Sequence, residues 1–242
     1  MPGSRAGRQL LRQEVVEGIK RYILENKLGP GDPLPTEPAL CEALGASRSS
    51  VREAVKILNA LDIVEVRHGH GTYVGRLSLS ALVESLTFRG LLSPDDDFQV
   101  LSDLVDVREL MERGMADRIV SSLSAGQLDS LERLVRRMSE VGGASEGFVE
   151  ADRAFHATLV APLQNALISQ LSMAFWDVYS IVAPHLDGFT HADETATIAA
   201  HQSLVDAARA DDVPGFVKAL QEHYAPVRRR IAETRARTAG QA

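Results

Sequence analysis

Residues 36–74 read TEPALCEALGASRSSVREAVKILNALDIVEVRHGHGTYV, and the punctuation of this stretch decides how the first part of the chain folds. Thr36 is a helix-capping residue type, Pro38 is tolerated in a first turn, and Gly45 closes the short apolar run that follows. After "GA", Ser47 stands where it would cap a second helix, RSSVREAVKILNAL. There Val51, Val55, Leu58 and Leu61 recur at helical spacing and are expected to point inward. Ser47, Arg48 and Arg52 lie at the front of that helix and largely off its apolar face. Beyond Asp62, the pairs Val64/Val66 and Thr72/Val74 alternate with more polar neighbours around RHGHG, which predicts two short strands joined by a glycine-containing hairpin.

Upstream, RQLLRQEVVEGIKRYILENKL carries Leu11, Val15, Ile19 and Ile23 at i+4 steps, and GPGDPLP breaks the helix they predict. Three helices followed by a hairpin make a winged helix-turn-helix over residues 1–75. In that arrangement the third helix enters a major groove, with Ser47, Arg48 and Arg52 at its front and the hairpin tip beside it.

The whole chain has 242 residues, 45% of them hydrophobic, enough for a real core and for two domains. Its net charge of −7 argues against a nucleic-acid protein until the chain is divided. Residues 1–75 hold ten Lys/Arg against nine Asp/Glu, whereas the remainder holds sixteen against twenty-four, so the acidic surplus belongs to the second part. No run of about 18 apolar residues and no secretory signal is evident, which places the protein in the cytoplasm, away from membranes. The single cysteine, Cys41, excludes an internal disulfide and a thiolate metal site and reads as core packing.

The stretch from Gly31 to Val74 resembles the N-terminal domain of the GntR family of bacterial transcription regulators. The shared pattern runs Leu-Pro-Thr-Glu, then Ser-Arg, then Val-Arg-Glu-Ala, then Gly-x-Gly-Thr. The resemblance implies that Arg48 and Arg52 contact bases or phosphates, that Ser47 and Ser50 contact phosphates, and that His68 with Gly69 reaches the minor groove. Many relatives have Arg or Lys where this chain has Pro38, so one family DNA contact is missing. Glu37 and Glu53 read as structural, because a carboxylate facing phosphate would repel it.

Over residues 76–242 the 3.6-residue period dominates and predicts an all-α bundle of seven helices. They fall near 78–91, 98–121, 124–140, 146–160, 165–184, 191–210 and 214–236. Ser124 and Gln127 are spaced as a capping box, Pro226 falls inside the last helix, and Arg228–Arg230 reads as a solvated end. In EADRAFHATLV, Asp152 and His156 stand four apart, so both side chains can converge on one point. A surface hydrogen bond between neighbours explains that pair equally well. His201 and His223 each lie among apolar residues on successive later helices, as core histidines do. Taken with the Asp152–His156 pair, they could close one Asp-His-His-His site inside the bundle.

This second part is similar to the effector domain of the FadR branch of the same family, the all-helical FadR C-terminal (FCD) domain. Its metal-binding members share the ligand set matched here by Asp152, His156, His201 and His223. Arg108 and Glu112 match the family's Arg-x-x-x-Glu segment and Asn165 its helix-starting Asn, which implies effector-binding roles for all three. The family's frequent basic residue on the helix of Trp176 is absent, with Tyr179 nearby instead. Imidazole and carboxylate ligands suit a divalent transition metal, zinc first, with nickel, iron, manganese or cobalt as alternatives.

The expected function is a metabolite-responsive, DNA-binding repressor: a homodimer on a palindromic double-stranded operator, answering to a small organic acid anchored by Arg108. Arg108 could instead form a structural i,i+4 salt bridge with Glu112. A metal-dependent enzyme fused to a DNA-binding domain is the alternative, since the same four ligands could activate water. An acyl-CoA-type regulator without metal is the third reading.

Overall fold

A computed structural model of the chain describes residues 3–92, 98–142, 145–186 and 190–239. The chain divides into two compact units, Met1–Ala81 and Leu82–Ala242. The division falls beyond the boundary expected after residue 75, because the strand exit is tied back to the first unit. The Leu77 N–H donates to the Asp62 carbonyl at 3.0 Å, and the Ser78 N–H to the Asp62 carboxylate at 2.9 Å.

The first unit contains α1 (Gly3–Glu25), α2 (Glu37–Leu44), α3 (Arg48–Ala60), β1 (Val64–Arg67) and β2 (Gly71–Val74). Ile19, Leu40, Val51, Ala54, Leu58 and Val64 are almost completely buried in one core, and Cys41 packs against it. The side chain of Leu11 lies outside the described residues. Gly45 takes the left-handed conformation (φ 60°) that ends α2, and the Ala46 N–H then bonds the Cys41 carbonyl at 3.0 Å. Thr36 occupies the N-cap of α2 without a side-chain capping bond, whereas the Ser47 hydroxyl accepts the Ser50 N–H at 3.2 Å and starts α3. Leu61, expected inward, is 46% exposed because α3 stops at Ala60 and Leu61 is its C-cap. The strands pair antiparallel with Val64 opposite Val74 and Arg67 opposite Gly71. Val74 is buried, while Val66, farther along the ribbon, is exposed.

The helices of the second unit are α4 (Ser80–Leu92), which carries the chain across the boundary, α5 (Gln99–Gly114), α6 (Ala116–Ser122), α7 (Ala125–Val141), α8 (Glu146–Val160), α9 (Ala166–Val182), α10 (His191–Arg209) and α11 (Val213–Ala239). The single helix expected over 98–121 is two. Gly114 weakens it, and at Met115 (φ −111°, ψ 3°) the N–H returns to the Glu112 carbonyl before α6 begins. Ser124 and Gln127 form the capping box read in the sequence, and Thr190 with Asp193 forms a second. The helix break expected at 93–97 lies outside the described residues, as do residues 143–144 of the one expected at 142–147, where Gly142 ends α7 and the Ser145 hydroxyl accepts the Phe148 N–H to start α8. Helix α10 packs on α7 and α11, α8 on α7 and α9, and α11 on α5, around a core that includes Phe155, Leu131, Met138, Leu204 and Phe216. Among the described residues one segment, Ala166–His185, is long and apolar enough to cross a membrane by length and composition, with mean hydropathy 1.3. Within it Trp176, Val178 and Val182 are buried in the bundle.

Candidate functional site

In the first unit the residues expected to touch DNA are exposed at two places. Arg48 projects from the first turn of α3, and the Ser47 hydroxyl lies 2.9 Å from the hydroxyls of both Ser49 and Ser50. The Arg52 Nε donates to Glu37 Oε2 at 2.8 Å, so Arg52 is held by α2 while the rest of its guanidinium faces solvent. The hydrogen bond and charge of Glu37 raise the Arg52 pKa. His68 and Gly69 form the exposed wing tip, where Gly69 takes φ 77° in the tight turn. Arg67 stacks on the Tyr73 ring at 4.1 Å and pairs with Glu65 at 2.9 Å, which stiffens the ribbon behind that tip.

In the second unit α8 supplies Asp152 and His156, α10 supplies His201 and α11 supplies His223. One ring nitrogen of each histidine lies within 4.8 Å of the others. His156 and His201 are fully buried. Asp152 Oδ1 stands 3.0 Å from His201 Nε2 and 3.4 Å from His156 Nε2, while its Oδ2 accepts the Trp176 indole N–H at 3.4 Å. His201 Nδ1 lies 2.8 Å from the Thr197 carbonyl, which can only accept, so Nδ1 carries a proton. A neutral His201 then turns its Nε2 lone pair towards a carboxylate oxygen. That contact is repulsive unless a cation or a second proton lies between them.

His156 stands between two carboxylates, its Nδ1 facing Glu112 Oε1 at 3.5 Å, longer than a good hydrogen bond, and its Nε2 facing Asp152. Burial and Arg108 oppose charge on His156, yet Asp152 and Glu112 prevail and its pKa is raised. Burial and the imidazoles of His201 and His156 push His223 well below the usual histidine value, leaving it neutral and able to donate a lone pair. Burial works against charge on Asp152, but its bonds to His156 and His201 hold it well below the usual carboxylate range. Glu112 is fully buried and lowered despite that burial by His156, Arg108 and the Tyr224 hydroxyl, which donates to Oε2 at 2.8 Å.

Arg108 is only 4% exposed, and its Nε and Nη2 meet no hydrogen-bond partner among the described residues. It lies above the Tyr224 ring at 5.5 Å. No Arg108–Glu112 ion pair forms among the described residues. Asn165 stands apart from the cluster: it is exposed, and its side chain accepts the Ile168 N–H at 3.2 Å to cap α9. Sequence reasoning missed Tyr224 and Arg230. The Arg228–Arg230 run is no solvated end: Arg228 pairs with Asp106 and Glu109, and Arg229 pairs with Asp193. Arg230 is buried, with its Nη2 3.1 Å from the Leu186 carbonyl. The i+4 step from Pro226 to Arg230 on an otherwise inward face was the available signal.

Two spaces that share lining residues adjoin this cluster. The inner one is about 50 Å³, bounded by Arg108, Asp152, His156, His223, Tyr224 and neighbouring side chains. The outer one is about 380 Å³ and shares Asp152, Tyr179, Thr197 and Arg230 with it.

A winged helix-turn-helix followed by an all-helical unit with a buried polar site defines a class: DNA-binding transcription regulators with a separate helical domain. Residues 11–74 match the family described as bacterial regulatory proteins, gntR family, and residues 103–226 match the FCD domain. The chain belongs to the GntR family of transcription regulators, in the branch that carries the FCD domain, and is not an enzyme. It is 26% identical to the galactonate operon transcriptional repressor of Escherichia coli K12 over 90% of this chain and 96% of that one. It is 32% identical to the HTH-type transcriptional regulator LutR of Bacillus subtilis over 62% of this chain and 66% of that one. Among solved structures, Streptococcus agalactiae GntR superposes with a TM-score of 0.65 at 27% identity, covering 90% of this chain and 99% of that one.

Proposed function

We propose that this regulator is a repressor that senses a small organic acid through a divalent transition metal, zinc first, held by Asp152, His156, His201 and His223. It would bind a palindromic operator as a homodimer. The observation that carries this reading is His201, whose proton is committed to Thr197 while its other nitrogen faces Asp152 at 3.0 Å. A cation among three buried imidazoles and one carboxylate relieves that contact and also takes the lone pair of the neutral His223. When bound, the ion supplies positive charge and coordination positions that a carboxylate can fill.

The surrounding residues divide the remaining work. Glu112, itself held by Tyr224, orients His156 from behind. Arg108 offers Nε and Nη2, the two donors on one edge of its guanidinium, which match a carboxylate through two parallel hydrogen bonds. Arg108, Asp152 and Glu112 together carry −1, and a divalent ion brings the group to +1, a field that favours an anion. Asn165 serves as a helix cap and is left out of the effector set. The repressor assignment accords with the E. coli relative, which is named as the transcriptional repressor of an operon.

Regulation requires the acid to bind one arrangement of the two DNA-reading heads better than the other, with coupling of about 1–3 kcal/mol. The test is a gel-shift titration on the gene's own upstream region with the metal-loaded protein, with and without candidate acids. Elemental analysis should find about one ion per chain, matching the single four-ligand set. Arg108→Ala should keep metal and operator binding and lose the response to acid. Absence of any transition metal after reconstitution would sink the metal reading.

A further inference from the structure

We infer that the acid read by this protein carries an apolar body of several carbons, seated in the outer space, rather than a short or polyhydroxylated chain; the inference rests on the metal-and-carboxylate reading above. The inner space, about 50 Å³, is several-fold smaller than the outer one and takes only the head of a ligand. Whatever is attached to that carboxylate must leave past Asp152, Tyr179, Thr197 and Arg230, the residues common to both spaces. The outer space beyond them is about 380 Å³, within the range of small-molecule sites.

The walls of the outer space decide the chemistry of its occupant. Phe148, Trp176 and Leu186 are buried and form its depth, while Val149 and Pro184 are exposed and mark its mouth. The Tyr179 hydroxyl, the Asp152 carboxylate and the Arg230 guanidinium lie at the end it shares with the inner space, and its other polar groups are largely engaged. The Trp176 N–H is given to Asp152, the Ser180 hydroxyl donates to the Asp177 carbonyl at 2.8 Å, and an Arg230 Nη2 faces the Leu186 carbonyl. A row of hydroxyls entering this space would give up water and find few donors or acceptors in exchange, whereas methylenes would gain the burial of apolar surface.

The test titrates metal-loaded full-length protein by calorimetry with straight-chain carboxylates from acetate to octanoate, and with gluconate as a six-carbon polyhydroxy acid. Affinity should rise about fourfold per methylene as the chain enters the outer space, until that space is filled. Hexanoate should therefore bind far more tightly than either acetate or gluconate. Val149→Phe, a change at an exposed position at the mouth, should flatten the chain-length dependence while leaving acetate affinity and metal content unchanged. A flat series, or gluconate tighter than hexanoate, overturns the inference while leaving the metal site standing. Elemental analysis before titration separates the two failures, because a chain that takes up no metal removes the parent reading, and with it this one.

Discussion

Tyr224 has one hydroxyl and one partner, Glu112, in a setting closed to water. Tyr224→Phe keeps the ring and removes the donor, so a buried carboxylate loses one of the groups that stabilise its charge. The folded state should lose about 1–3 kcal/mol by chemical denaturation, as expected when a buried acceptor is stranded. Metal affinity should fall as well, because Glu112, the neighbour of His156, loses the bond that holds it in place. His201→Ala acts differently, for it removes a ligand and also ends the opposition between its ring and Asp152. Metal retention should drop sharply while the metal-free protein loses little stability, and an inductively coupled plasma measurement beside a melting curve separates the two effects. On DNA, Arg48→Ala should cost about 1–3 kcal/mol of operator binding if the guanidinium reads a base. Arg52→Ala additionally frees Glu37, an uncompensated negative charge near the same phosphates whose repulsion salt screens, so its gel-shift affinity should be the lower at low salt and show the weaker salt dependence of the two variants.

At the scale of the element, Gly75 is the residue whose replacement the backbone resists most. A Cβ there would stand 2.2 Å from the Asp62 carbonyl oxygen, and that oxygen belongs to main chain that cannot swing aside. Gly75→Ala should therefore destabilise the first unit by about 1–3 kcal/mol, as overpacking does, and a denaturation midpoint reads it directly. Asp62 itself has a lowered pKa, because of its hydrogen bonds to Ser78. Its contribution is complete above the ordinary carboxylate range and is lost as pH falls through the lowered folded value. Asp62→Asn, which still tolerates the positive φ of 54° at this position, should remove that part of the acid-limb loss in a pH series of melts. The sequence showed the elements whose ends are written in side chains: Gly45, Ser47 and the Ser124–Gln127 pair each mark a boundary by their own chemistry. The break at Met115 was hidden because it is made by main-chain angles within an unbroken apolar period. In the site, the convergence of Asp152 and His156 was legible by their i+4 spacing, and the nearness of His201 and His223 to them was suggested by their places on successive apolar helix faces. Tyr224 and the partners of Arg228–Arg230 were hidden, since each depends on what another helix brings opposite.

For the whole molecule, the two compact units have separate cores, and the candidate ligands all lie in the second. A ligand that binds only folded protein stabilises the unit that holds it. Chelation should therefore lower the melting of the second unit and leave that of the first in place, which scanning calorimetry would record as one moving transition beside one fixed transition. A single transition that moves as a whole would mean that the units unfold together. One further property follows from the bond between the Trp176 indole and Asp152. The chain has only one tryptophan, and it touches a carboxylate of the proposed ligand set. All indole emission thus originates beside the site. Drawing Asp152 towards a cation would change the charge felt at the ring edge, so the protein's own light reports the state of its sensor without any attached dye.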